Sequence, residues 1–266
     1  MRSYFYCLKN AYNSITRYRA NTVFRIVSSL ISLFPAVFLW RALYGGADEA
    51  VIAGVNLGQM LTFIVVSRLI NISSSSGVAS YIENRIKNGD IALDIMRPVE
   101  PRLLFIFQNL GGTLASMIFD GLPVFVISIL LLGGIMPPAS VSHFLLFIIS
   151  LIGAMIINTL IQTTFGTIAF WFANLWIVRT FIYAFDALFS GRFVPLWFLP
   201  GWLVTLSLML PFQAIRFLPV SIYLGMYLQG GIVFALLTQL FWIFFLFFLQ
   251  FFIWKKGINR LVVLGG

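Results

Sequence analysis

Asp90 and Asp94 stand four residues apart in the stretch NGDIALDIMRP, residues 88–98. On a helix that spacing puts two carboxylates on one face. Paired carboxylates could hold Mg²⁺, and the alternative, a solvated helix face, is the reading taken here. The stretch SSSSG at 73–77 offers hydroxyls but no base. The one histidine, His143, starts a different apolar run and reads as an interfacial residue. No HExxH and no GxSxG occurs. A phosphate-cradling loop needs GxxxxGK and then Ser or Thr. The lysines are Lys9, Lys87, Lys255 and Lys256, and neither Ser nor Thr follows any of them. If the chain uses ATP, another chain must hydrolyse it. Cys7, the one cysteine, can form neither an internal disulfide nor a cysteine metal site.

The scaffold around these residues is apolar. The chain is 61% hydrophobic and 9% charged, with a mean hydropathy of +1.00. Soluble domains carry about 25% charged residues, so the solvent for most of this chain is lipid. A net charge of +9 could suggest nucleic acid. The basic residues instead sit beside the apolar spans, as orientation in a membrane requires, so no nucleic-acid partner is expected. The first 20 residues have scattered charges and no cleavage pattern, so they do not read as a signal peptide. Phe5, Leu8, Tyr12 and Ile15 fall at helical spacing among basic residues. That fits a helix lying flat on the membrane or a cytoplasmic extension of the first span.

Six spans are expected, near 26–44, 52–72, 115–134, 143–171, 175–190 and 232–254. Pro35 should kink the first. The stretch 103–134 is too long for one straight crossing, which suggests an interfacial start before the third span. Residues 191–230 carry Pro195, Pro200, Pro211 and Pro219, which argue against a straight membrane helix and for short helices that dip in and return. With the N-terminus inside, 14 of the 17 basic residues fall on the inner side, leaving only Arg41, Arg192 and Arg216 outside. The positive-inside rule then puts both termini in the cytoplasm. The expected fold class is all-α membrane protein, one transmembrane domain over 1–266. Residues 1–20 form the interfacial helix, 73–102 the cytoplasmic segment and 191–230 the outer re-entrant segment.

NGDIALDIMRP therefore faces the cytoplasm. Asn88-Gly89 is a turn, Asp90 a good N-cap, and Pro98 a stop. Ile91, Ala92, Ile95 and Met96 form an apolar stripe. Just before it, Glu83 and Lys87 are an i,i+4 pair. A short exposed helix with apolar residues facing out suits a groove on a soluble partner.

Four further stretches complete a pattern: IKNGDIALDIMRPVEPRL at 86–103, AFWFANLWIVRTF at 169–181, SGRFVPLWFLPGWL at 190–203 with LPF at 210–212, and the closing LVVLGG. In this order and spacing the chain resembles the membrane subunit of an ABC-2 type transporter, among the small six-span permeases. The resemblance covers nearly the whole chain. It implies a type V exporter-like fold and a coupling helix that docks on an ATP-binding subunit. Gly89, Asp90, Ile91, Leu93, Arg97 and Pro98 would form that element. It also implies re-entrant helices at an outer gate, with Pro195, Pro200, Pro211 and Phe212, and Arg216 near the outer surface. The chain would need no cofactor of its own, with ATP and Mg²⁺ held by the partner. It would sit in a bacterial or archaeal plasma membrane. Six spans seldom enclose a path, so a second permease copy, identical or homologous, is expected.

Asp120 and Asp186 depart from this pattern, and charges within spans are candidates for function. Asp120 would line a substrate path or sit at the inner interface. Asp186 would act in translocation or pair with Arg179 or Arg192. Two other classes compete with an exporter of amphiphilic small molecules, peptides or lipids. A membrane-embedded lipid-modifying enzyme would want clustered His, Asp or Ser at the membrane face. A secondary transporter would want inverted repeats and ion-coupling acids.

Overall fold

Pro35 has no N–H to give, and its ring crowds the carbonyl of Ile31. The first apolar helix kinks one turn before it. Helix α1 (Arg19–Ile31) meets α2 (Leu33–Leu43) at a turn on Ser32. The structure, a computed structural model, describes residues 6, 10, 19–45, 50–74, 77–172, 174–227 and 231–264. Most of the expected interfacial helix over 1–20 lies outside the described residues, as do the closing glycines.

The second span starts later than residue 52. Val51–Ile52 (β1) pairs antiparallel with Val55–Asn56 (β2). Ala53 and Gly54, at φ 52° and 78°, make the two-residue turn between them. Positive φ at both turn residues matches the twist of a hairpin and cannot continue a helix. Helix α3 (Leu57–Ser74) follows.

Two short helices come next, α4 (Val78–Lys87) and α5 (Ile91–Ile95). The long apolar stretch after them, expected as an interfacial start and a span, is one continuous helical run. α6 (Pro101–Ser116) passes through a π turn at Met117–Gly121 into α7 (Leu122–Leu132). Pro123 explains the irregularity, since its ring crowds the carbonyl of Phe119 and an extra residue in the turn relieves it. A Cβ on Gly121 would lie 2.9 Å from Leu69 Cδ1, so glycine lets the π turn press against α3.

Helix α8 (Val141–Thr167) is the centre of the molecule, buried along most of its inner half. It packs on α4, on α11 (Phe217–Leu224) and on the long last helix α12 (Gly231–Leu264). Gln239 of α12 donates to the carbonyls of Ser150 at 2.8 Å and Ala214 at 3.0 Å, tying three elements together. Between α8 and α12 lie α9 (Trp176–Phe189), a 3-10 turn at Leu196–Phe198, α10 (Gly201–Leu208) and a second 3-10 turn at Pro211–Ala214. Each proline-bounded piece is short. Trp197 and Phe217 stack edge-on at 4.8 Å and pack on Phe63 of α3.

Among the described residues, four helical runs are long and apolar enough to cross a membrane: Asn21–Leu43, Pro101–Leu132, Val141–Phe170 and Gly231–Arg260. Leu57–Asn71 is apolar but shorter. Helix α9, expected as the fifth span, has 14 residues. At about 1.5 Å each it reaches about 21 Å, short of a hydrocarbon core of about 30 Å.

Candidate functional site

Arg216 decides the site. A guanidinium is charged at any physiological pH and keeps five donors. Placed in an apolar segment, it needs acceptors. Arg216, expected near the outer surface, is enclosed by the chain itself at 3% exposure. It donates to Asp186 Oδ1 at 2.5 Å, Ser190 Oγ at 2.7 Å and Asn71 Oδ1 at 3.0 Å. Asn71 is in the last turn of α3, the end far from the hairpin. The break between the second 3-10 turn and α11 carries Arg216 down to it.

Asp186 therefore pairs chiefly with Arg216, 30 positions away, and with Arg192 only at 3.9 Å. Its other sequence candidate, Arg179, is engaged elsewhere, on Glu83. Asp120, set in the π turn, accepts from Arg25 of α1 at 2.9 Å. Arg68 of α3 donates to Ser29 Oγ at 2.9 Å and bonds the Ser32 hydroxyl. These groups surround a cavity of about 660 Å³ between α1, α3, α8 and α9. Phe212 lines it too, so four of the sequence candidates for path or gate, Asp120, Asp186, Phe212 and Arg216, share one space. Pro211 opens the neighbouring 3-10 turn. Pro200 precedes α10 and is exposed, apart from this cavity, and Pro195 is buried before the first 3-10 turn. The sequence reading named Arg192 as a candidate partner of Asp186 but missed Arg25, Arg68 and Asn71 as members. It used the arginines as markers of membrane side, and the signal that could have found them is their position beside or inside apolar runs.

A second, apolar crevice of about 510 Å³ lies between α10, α11 and α12, bordered by Met209, Phe217, Phe241 and Trp242.

The α4–α5 segment forms a second site. Gly89, at φ 79°, turns the chain between α4 and α5. Asp90 stands at the N-cap position, but its side chain caps nothing. It turns to Arg85, as Asp94 does, at 3.5 Å and 2.8 Å. The two carboxylates thus share one guanidinium, and Arg97 adds a 3.5 Å contact to Asp94. The expected outward stripe is split. Ile91 is 0% exposed, packed with Val78, Ile82, Phe105, Phe170 and Trp254. A five-residue helix anchored by one isoleucine can present only its other face. That face carries Leu93, 60% exposed, and Met96, 82% exposed. Pro98, which ends the element, is exposed.

Glu83 ties this segment to α9. It accepts from Lys87 Nζ at 2.6 Å, from Arg179 and from the Leu175 N–H. Burial pushes its carboxyl up. The hydrogen bonds from Lys87 and Leu175 and the charges of Lys87 and Arg179 outweigh that and hold it below its ordinary value. A depressed folded pKa adds stability above the unfolded value, about 4.3, and loses it as pH falls through the folded one. Glu83→Gln should therefore melt lower than the parent at neutral pH, by about 1–3 kcal/mol for a charge-assisted bond. The gap should close as the pH drops below about 4.3; a gap unchanged by pH in thermal melts would contradict this.

This is an all-α, multi-pass membrane architecture with a charged cavity and a braced, exposed short helix. A family profile described as "ABC-2 family transporter protein" matches residues 30–265. The chain belongs to that ABC-2 transporter family: it is a membrane permease of an ABC transporter, a transport subunit and not an enzyme, of a kind that works with an ABC ATP-binding partner. No curated protein matches the chain.

Proposed function

We propose that the chain is the permease of an exporter for amphiphilic or hydrophobic small molecules, peptides or lipids, driven by a separate subunit that holds ATP and Mg²⁺. The observation that carries this is the α4–α5 segment. Arg85, Glu83 and Ile91 hold it rigid against the chain's own core, and Leu93 and Met96 are left bare beside it. A rigid exposed apolar pair on a short helix fits a groove on a soluble domain and transmits motion in both directions. Six crossings are proposed, with α1–α2, α3, α6–α7, α8 and α12 as five. The other is α9, the run expected near 175–190. Residues 191–230 then form an outer re-entrant element. Both termini lie in the cytoplasm of a bacterial or archaeal cell, and a second permease copy, identical or homologous, completes the path.

Purification from native membranes, with mass spectrometry of co-eluting chains, tests the reading. A P-loop ATPase is expected in the complex, and this chain purified alone should not hydrolyse ATP. Hydrolysis by the chain free of any P-loop protein would sink the proposal. Sidedness is tested after Cys7→Ser. Ala139→Cys should label with an impermeant thiol reagent from outside, and Met96→Cys only after the membrane is opened. Labelling of intact cells at Met96→Cys would overturn both the topology and the docking role.

A further inference from the structure

The cavity lining is out of electrical balance. Arg25, Arg68, Arg192 and Arg216 face it against Asp120 and Asp186. Even with both carboxylates ionised, the described lining carries two more positive charges than negative ones. The pairing shows where the surplus lies. Asp120 is engaged by Arg25 at 2.9 Å, and Asp186 by Arg216 at 2.5 Å. Arg192 reaches Asp186 only at 3.9 Å. Arg68's partners among the described residues are Ser29 and Ser32, which carry no charge. Arg68, Arg192 and Arg216 are close enough for their charges to act on one another in sequence, Arg68 with Arg192 and Arg192 with Arg216.

An independent observation points the same way. Arg216 is 3% exposed and lines the cavity, yet its buried Nε–H has no acceptor. Buried donors are nearly always satisfied, so an orphan on a charged group at a cavity wall asks for an acceptor from elsewhere. Like charges gathered in a low-dielectric recess raise the local concentration of counter-ions and make a charge-selective site.

The rest of the lining mixes polar side chains, among them Asn158 and Gln162, with an apolar strip of Ile161, Ile182, Phe212 and Ile215, and with Phe24 at 74% exposure beside Arg25. A volume of about 660 Å³ falls in the range of sites for drug-sized ligands, about 300–1,000 Å³. We infer that this cavity binds the anionic head group of an amphiphile, a phosphate, sulfonate or carboxylate held by Arg68, Arg192 and Arg216. Its apolar part lies along Phe212 and Ile182 toward Phe24. The inference rests on the transport reading above and narrows its cargo to anionic amphiphiles.

Dodecyl phosphate is the probe, added to the full chain in a neutral maltoside detergent and followed by native mass spectrometry. Inorganic phosphate and dodecyltrimethylammonium are added in parallel. Dodecyl phosphate should bind with one-to-one stoichiometry and the ammonium should not. Arg192→Gln and Arg68→Gln should each weaken binding about 10-fold or more, as loss of a charge-assisted contact does. Lys256→Gln, exposed on α12, should leave it unchanged. Equal binding of the ammonium, or full binding by both arginine variants, would overturn the inference. Inorganic phosphate competing as well as dodecyl phosphate would overturn the amphiphile part, leaving a simple ion site. The transport reading is separated by a second measurement, ATP hydrolysis of the co-purified complex. Binding that never alters that rate would leave the charge-selective site standing and remove its role as a cargo site.

Discussion

Asp186→Ala costs the protein about 3–5 kcal/mol of folding stability. The carboxylate is one end of a pair in which Arg216 is almost wholly buried. Removing it does not return the guanidinium to water. Arg216 stays beside Ser190 and Asn71, whose neutral oxygens compensate a charge only in part. Arg192, on the same carboxylate at 3.9 Å, becomes a second unbalanced charge in the same space. The loss is measured as a fall in melting temperature of the purified chain in detergent. The double variant Asp186→Leu with Arg216→Met separates a pair from two independent residues. It removes both charges of the pair, so it should recover most of the stability lost, short of what Arg192, Ser190 and Asn71 lose with their partners. If the double variant is as unstable as the sum of the singles, the pair is not what holds α9 against the start of α11.

That pair also marks the limit of what could be read along the chain. Hydropathy located the first span, the central helix α8 and the last helix, because those runs are apolar for longer than a bilayer is thick. The prolines of 191–230 announced short pieces, and the structure has helices of eight residues there, α10 and α11. The hairpin at Val51–Asn56 was hidden, since its four paired residues blend into an apolar run and only Ala53-Gly54 betrays the turn. The charged cavity was hidden more deeply. Asp120 and Asp186 stood out as acids in grease, but their partners are 95 and 30 positions away. Spacing finds partners within a helix turn or two. It has no access to partners that meet when α1 lies against a π turn, or when a proline-broken segment folds back onto α3. Arg68, Arg192 and Arg216 each looked like a marker of a membrane face because a count of charges by side cannot tell an interfacial arginine from one folded inward.

The other expected result concerns the two faces of α5. Ile91→Asp should disrupt this chain itself, and Leu93→Asp only its association with the ATP-binding partner. A periodic apolar stripe gives no reason to distinguish them, but burial does. Ile91 is enclosed by Val78, Ile82, Phe105, Phe170 and Trp254, residues of three helices, α4, α6 and α12, and of the 3-10 turn at Ile168–Phe170. An aspartate there is a buried charge without a partner, in a pocket whose nearby carboxylates, Asp90 and Asp94, repel it. The cost should be at least about 3 kcal/mol, enough to loosen α4 and α5 from the core. Leu93 stands 60% exposed, so Leu93→Asp should leave the melting temperature within about 0.5 kcal/mol of the parent. On a docked surface it puts a charge where an apolar group was, and association should weaken about 10-fold or more, at about 1.4 kcal/mol per factor of ten. Met96→Asp, on the still more exposed position, should behave in the same way. Both quantities come from one preparation: a thermal melt of each purified variant, and a pull-down of the partner from solubilised membranes. A normal melt with Ile91→Asp, or an undiminished pull-down with both Leu93→Asp and Met96→Asp, would mean that α5 is a solvated loop whose exposed side chains touch no partner.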